Sequence, residues 1–324
     1  MQLKNLLSVM PRVVVVILMA MLAATKADAA SISDRAPQLT NTVVADTIKG
    51  IVAELRDGYV FVREGTNAAD ALEKSFMDKA YSGVGDPAVF ARQLTDQLRT
   101  LTGDGHMRVI FGSPFADQPA AGAPQGTGIE VQRLAGNIGL IRITRFAPPE
   151  VFKPAADDAM RSVADTDALI IDVRTNGGGH PASVAYEVSY FLGTDKAVPI
   201  NSLVWRNRGT ETFRTETFTS SPTPLHYVGK PIYVLIGPAT YSAGEEFAYD
   251  LQVMKRATLV GARTRGGANP GGLTDLGTGF FAVVPTGRAE NPITHTNWEG
   301  VGVGPDVEAS SDLAEATAYA LAKG

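Results

Sequence analysis

A serine stands where an apolar run breaks. In "LIGPATYSAGEEFAYDLQ", residues 235–252, a strand-like stretch ends in Gly-Pro and Ser242 opens a helix-like pattern. Two kinds of chemistry fit that position. Ser242-Ala-Gly-Glu245 is a capping box, in which hydroxyl and carboxylate each satisfy a free backbone N–H at the helix start. The same placement exposes the hydroxyl as a nucleophile, with the Ala243 N–H and the helix N-terminus facing any oxyanion formed beside it. The spacing alone chooses neither. It is not the α/β-hydrolase elbow Gly-x-Ser-x-Gly, because Thr240 fills the first glycine position.

A nucleophilic serine needs a base. The chain has four histidines: His106 in the polar turn "LTGDGHMRV", His180 at the end of "DVRTNGGGH", and His226 and His295 in segments without clear pattern. It has no cysteine, so thiol catalysis, disulfides and zinc-thiolate sites are excluded. No His-Glu-x-x-His pair occurs, and no metal or organic cofactor is expected. Three consecutive glycines, Gly177 to Gly179, follow a strand-like run and leave backbone N–H groups uncovered, suited to an oxyanion. Phosphate binding has little support: there is no Gly-Lys-Ser/Thr triplet, and "GTGIE" and "GVGVGPD" do not join a strand to a helix.

The elements that must carry these residues divide the chain. Residues 30–105 read as a helical domain: Val43, Ile48, Ile51, Val52 and Leu55 form a stripe, and "DPAVFARQLTDQLRTL" opens on an Asp-Pro start signal and repeats apolar residues at 89, 90, 94, 98 and 101. Residues 106–324 read as an α/β domain. "HMRVIF" is strand-like, 113–128 is a Pro- and Gly-rich loop, and "IEVQRL" with "IGLIRITRF" forms a hairpin about "AGN". "EVFKPAADDAMRSVADT" is amphipathic. "ALIIDVR" and "PIYVLIG" are continuous apolar runs, as in strands buried on both faces, each followed by a helical pattern; "RATLVGA" and "GTGFFAVVPTG" supply further strands. Alternation of strand and helix gives an α/β fold with sites beyond the strand ends. Asp172 and Arg174 are placed to support the glycine loop.

At the start, Lys4 and Arg12, an apolar run over 13–24 and small residues at Ala27 and Ala29 read as a signal peptide spanning 1–29, with the product exported to the periplasm or secreted. Cleavage there removes Lys4, Arg12, Lys26 and Asp28, taking the net charge from −5 to −7. That acidity argues against nucleic acid or anionic membranes as partners. No later segment is long and apolar enough to span a bilayer, and a homo-oligomer is left open.

Five segments, "DGHMRV", "IGLIRITRF", "ALIIDVRTNGGG", "YSAGEEFAYDLQVMKRATLVGARTRGGANP" and "NWEGVGVGPDVE", occur in an order that resembles the tail-specific, or C-terminal processing, serine peptidases. Within that group they look most like the branch holding the interphotoreceptor retinoid-binding protein modules and the tricorn core protease. The resemblance covers roughly residues 40–320 and implies a crotonase- or ClpP-like β/α core preceded by a small helical domain, acting on polypeptide. The Ser-Lys branch carries lysine in Gly-Lys-Gly, where this chain has Gly267 within "RTRGGANPGG". Lys255 falls at the far end of the helix begun by Ser242, too distant to reach back. Fewer than thirty residues separate Met107 from the hairpin, too few for the PDZ module usual in that branch. The tricorn-like branch implies Ser242 as nucleophile, His106 as base, Glu299 as its partner, and N–H groups of Gly178, Gly177 and Ala243 as the oxyanion hole. Gly105 stands where that branch has a serine.

The retinoid-binding relatives imply a rival, a non-catalytic module for retinoid- or fatty-acid-like ligands. A third reading is an esterase-like hydrolase, disfavoured by the missing elbow glycine.

Overall fold

The computed structural model describes residues 39–113, 126–194 and 196–324. The signal peptide expected over 1–29 and most of the 113–128 loop lie outside the described residues. In chain order the elements are α1 (Asn41–Asp57), α2 (Val62–Met77), α3 (Pro87–Thr102), β1 (Arg108–Phe111), β2 (Ile129–Leu134), β3 (Ile138–Ile143), α4 (Pro149–Val163), β4 (Ala168–Asp172) and α5 (Pro181–Ser189). There follow β5 (Pro199–Arg206), β6 (Phe213–Thr219), β7 (Ile232–Ile236), α6 (Ala243–Val253), β8 (Thr258–Gly261), β9 (Gly271–Asp275), β10 (Phe280–Pro285), β11 (Gly287–Glu290), β12 (Val307–Glu308) and α7 (Ala314–Ala322).

The central sheet is mixed, with strand order β12-β8-β7-β4-β3-β2. The hairpin pair β2–β3 is antiparallel, and the remaining neighbours run parallel. Side-chain alternation explains why the middle strands are apolar throughout. Leu169 and Ile171 of β4, with Val234 and Ile236 of β7, share one core with Phe152 and Met160 of α4, Val184 and Val188 of α5, and Phe247 and Leu251 of α6. Ile170 and Leu235, on the opposite face, pack with Leu140, Val260 and the small Ala314 and Ala318 of α7. Both faces are thus covered. Parallel order puts the C-terminal ends of β4 and β7 side by side, and from those ends emerge the glycine loop and the Ser242 turn.

The three N-terminal helices form a second layer. Thr40 caps α1, its hydroxyl accepting from Val43 N–H, and Asp86 caps α3, its carboxylate accepting from Ala88 and Val89 N–H ahead of Pro87. Gly103 ends α3 in the left-handed region, φ 70°. Of the positions read as the α3 stripe, Phe90, Leu94 and Leu98 are buried, whereas Val89 and Leu101 face outward; Ala91 and Thr95 complete the buried face instead. These helices pack on an antiparallel sheet of order β1-β10-β9, with Leu55, Phe90, Leu94, Met107, Val109, Phe280 and Ala282 in one core. The strand beginning next to His106 therefore belongs to the helical layer's core. A third sheet, β11-β5-β6, packs against α5 and α6. No helix of the described residues is long and apolar enough to cross a membrane.

Candidate active site

Ser242 sits at φ 53°, ψ −121°. That combination is nearly confined to glycine and costs roughly 1–3 kcal/mol in any other residue, so the surroundings must impose it. They do so from three sides. Tyr241 N–H is donated to the Asn176 carbonyl at 2.9 Å. Ser242 N–H is donated to Glu245 Oε2 at 2.9 Å, and the Ser242 carbonyl accepts from Glu245 and Glu246 N–H at 2.8 and 2.9 Å. The groups of a capping box, the Ser242 side chain and the Glu245 carboxylate, are in place. The same fully buried carboxylate also accepts from the Thr264 hydroxyl and from Gly266 and Gly267 N–H, at 2.5, 2.6 and 2.8 Å. Burial raises its pKa, and these donors pull the other way.

His106 is set in a turn built by Asp104. That carboxylate, 1 % exposed, accepts from His106 N–H at 2.9 Å, Asn269 Nδ2 at 2.9 Å and the Tyr59 hydroxyl at 3.2 Å. The imidazole lies against the ring of Tyr241, centroids 4.6 Å apart, and so against the residue preceding Ser242. Arg265 covers Tyr241 at 4.8 Å. Glu299 accepts from Ala268 N–H at 2.5 Å and from Gly105 N–H at 3.4 Å. One donor-type atom from each of Asp104, His106 and Glu299 lies within 4.8 Å of the others. Such a trio has the ligand types for a cation, but both carboxylates are already occupied by these N–H and O–H donors. Asp104 holds His106 through its backbone N–H, and the buried imidazole Nδ1 has no hydrogen-bond partner.

Electrostatics hold His106 neutral. Burial, then the charges of Arg108, Arg265 and Arg99, lower its pKa to about 4. Burial and the Asp104 charge raise Glu299 to about 7, against the pull of its two backbone donors. An unprotonated imidazole is the form a general base requires.

The glycine loop abuts Ser242. Gly178 has φ 119°, and a Cβ there would meet Ser242 Cβ at 2.9 Å; at Gly179, φ 146°, it would meet the Phe146 carbonyl at 2.0 Å. Those two positions require glycine, while the third, Gly177, has open space around it. Gly178 N–H is donated to Asn176 Oδ1 at 2.8 Å. Asn176, fully buried, also gives Nδ2 to the Ile143 carbonyl at 2.9 Å, tying the end of β3 to the loop. Ala243, as first helical residue, has no intrahelical acceptor for its N–H. Arg174 braces the loop from behind, against Asp172 at 2.7 Å and Glu315 at 3.1 Å.

Other histidines serve elsewhere. His180 caps α5, Nδ1 accepting from Ala182 N–H at 3.2 Å, and His295 sits in a turn at φ 54°. Sequence reasoning passed over Asp104, Asn176 and Tyr241. Only Asp104, two residues before His106, carried a local signal, the Asp-x-His spacing.

The molecule is thus a mixed α/β sheet covered on both faces, with a glycine loop and a strained serine turn at adjacent strand ends. The fold is shared with solved structures: a candidate peptidase from Parabacteroides merdae (20 % identical, TM-score 0.62, 86 % of this chain and 96 % of that one) and the photosystem II D1 C-terminal processing protease (17 % identical, TM-score 0.54, 85 % and 95 %). Residues 137–309, just over half of the chain, match the model of peptidase family S41, and the chain belongs to that family. It is 28 % identical over 191 residues to a carboxyl-terminal-processing protease of Synechocystis sp., covering 57 % of this chain and 40 % of the relative's length.

Proposed function

We propose that this protein is an exported serine peptidase acting through an acyl-enzyme. Ser242 Oγ attacks the scissile carbonyl while His106 takes its proton. The tetrahedral oxyanion is met by the Ala243 N–H and by the glycine loop, where Gly177 N–H and Gly178 N–H border the site, the latter shared with Asn176. As the C–N bond breaks, His106 returns the proton to the leaving amine; water then repeats the cycle on the ester. Glu299, ionised above about pH 7, steadies the imidazolium formed in between. Export rests on the N-terminal sequence pattern over residues 1–29.

The observation that carries this reading is the Ser242 turn. A residue kept only as a cap has an extended backbone; Ser242 is instead held at φ 53°, ψ −121°, with its side chain against Gly178 of the glycine loop. A Ser-His pairing is further favoured by Gly267: a Cβ there would lie 2.2 Å from the Tyr241 ring, so no lysine side chain fits at that position. The cavity beside Ser242 measures about 50 Å3, too small for a retinoid or fatty acid at that point; a cavity of about 750 Å3 lies apart from it, among Leu39, Val44, Phe76, Met77 and Tyr81.

Fluorophosphonate labelling of the folded protein, with the adduct located by mass spectrometry, tests the nucleophile. The expected outcome is a stable adduct on Ser242, absent in Ser242→Ala. Folded protein that takes no label, or takes it elsewhere, overturns the assignment.

A further inference from the structure

A base must be aimed as well as neutral. To take the Ser242 proton, one imidazole nitrogen has to come within hydrogen-bond reach of Oγ. The outer torsion of a histidine side chain has only a broad preference of its own, so the surroundings must set the plane of the ring. Hydrogen bonds do not set it here. Nδ1 of His106 is buried and without a partner. The two neighbouring carboxylates direct their bonds elsewhere: Asp104 to the His106 backbone N–H, Asn269 and Tyr59, and Glu299 to the N–H groups of Gly105 and Ala268. What lies against the imidazole is the ring of Tyr241, with centroids 4.6 Å apart and planes inclined by 31°. That separation is within the range ring pairs favour.

Tyr241 is itself firmly seated. Its backbone N–H is donated to the Asn176 carbonyl at 2.9 Å, and the Arg265 guanidinium lies over its ring at 4.8 Å. The ring rests on bare backbone at Gly267, where a Cβ would approach it to 2.2 Å, and the hydroxyl rests on Gly105, where a Cβ would approach it to 3.2 Å. Gly105 immediately precedes His106, and Gly267 belongs to the segment that Glu245 ties to the serine turn. The hydroxyl is buried and unpaired, which costs stability rather than adding to it, so the ring is the part that acts. Resting on the Ser-His reading above, the structure assigns Tyr241 as a positioning residue: its ring sets the plane of the His106 imidazole, so that the residue preceding the nucleophile aligns the base that deprotonates it. The charged and titratable groups around the imidazole, Asp104, Glu299, Arg99, Arg108 and Arg265, are untouched by a change at position 241.

Two readouts on the folded protein test this. One is the rate of Ser242 labelling by a fluorophosphonate. The other is NMR of the His106 ring, which needs no activity: wild type should show through-space contacts between the two rings. Tyr241→Leu, apolar but without a ring face, should slow labelling roughly 10²-fold, the scale of a 1 Å misplacement. It should also let the His106 pKa rise from about 4, as the imidazole turns toward Glu299 and water. Tyr241→Phe restores the ring and should recover most of the labelling rate and the wild-type titration. Should Tyr241→Leu not fold, Tyr241→Met, with its adaptable unbranched chain, takes its place, and the wild-type ring contacts and Tyr241→Phe decide by themselves. Tyr241→Leu labelling at the wild-type rate overturns the assignment. So does slow labelling with an unchanged His106 titration, which confines Tyr241 to the shape of the serine turn. Tyr241→Phe as slow as Tyr241→Leu moves the role to the hydroxyl, and absent ring contacts separate the two side chains; both overturn it as well. All of these leave a labelled Ser242 in wild type. Folded wild type that takes no label overturns the peptidase reading, and this role with it.

Discussion

At the scale of single residues, the proposed base is kept neutral in a crowd of charges. His106 titrates near pH 4 because burial and three arginines oppose a further cation. The acid limb of kcat/KM should therefore fall between about pH 4 and 5, below the ordinary histidine range. A limb at pH 6.5 or above would show that His106 is not the base or is not so buried. Arg265→Ala, removing a charge that also covers Tyr241, should move the limb upward. The same groups link stability to pH in opposite senses. The unfolded chain protonates His106 below about 6.5 and the folded chain does not, so that contribution is lost as pH falls from 6.5 toward 4. Glu299 holds its proton in the folded state up to about 7, so its contribution is complete below about 4.5 and is lost as pH rises through 7. In Glu299→Gln the second loss should vanish, leaving stability that rises with pH between 4 and 6.5. Urea midpoints measured across that range check it; an unchanged profile refutes the Glu299 shift.

At the scale of elements, the strained turn depends on Glu245. Its carboxylate joins the start of α6 to residues 264–267, and Glu245→Leu would strand four donors in a dry interior. We expect a loss of 3 kcal/mol or more, of the order found when a buried charge network is broken, together with loss of Ser242 labelling. Chemical denaturation measures the first, and a loss under about 1 kcal/mol would show the network to be dispensable. Gly178→Ala, whose Cβ would press on Ser242, should cut labelling roughly 10²-fold, the scale of losing an oxyanion donor, with a smaller effect on unfolding. Equal labelling of variant and wild type would remove the glycine loop from the site.

At the scale of the whole molecule, what could be read from the sequence follows how local each signal is. β4, β7 and α6 were legible because burial on both faces leaves unbroken apolar runs and one sharp start signal. The edge hairpin β5–β6 was not: β6 is exposed along nearly its whole length, so "FRTETFT" carries no apolar alternation. Two-residue β12 exists only through its pairing with β8. Ser242, His106 and Glu299 came from ordered motifs. Tyr241 and Asn176 had no signature, because their meaning lies in contacts between distant segments, Tyr241 on His106 and Asn176 under the serine turn.

The proposed base and nucleophile also belong to different layers. His106 follows α3 and leads into β1, within the core of the helical layer, while Ser242 stands at the end of a central-sheet strand. Asn269 to Asp104, Tyr241 on His106 and Glu299 to Gly105 are the stitches between them. On the proposed mechanism, a chain in which each layer has formed but the two have not yet met possesses a serine without a base. On that mechanism such a chain cleaves neither itself nor its neighbours, and gains activity only once the layers meet.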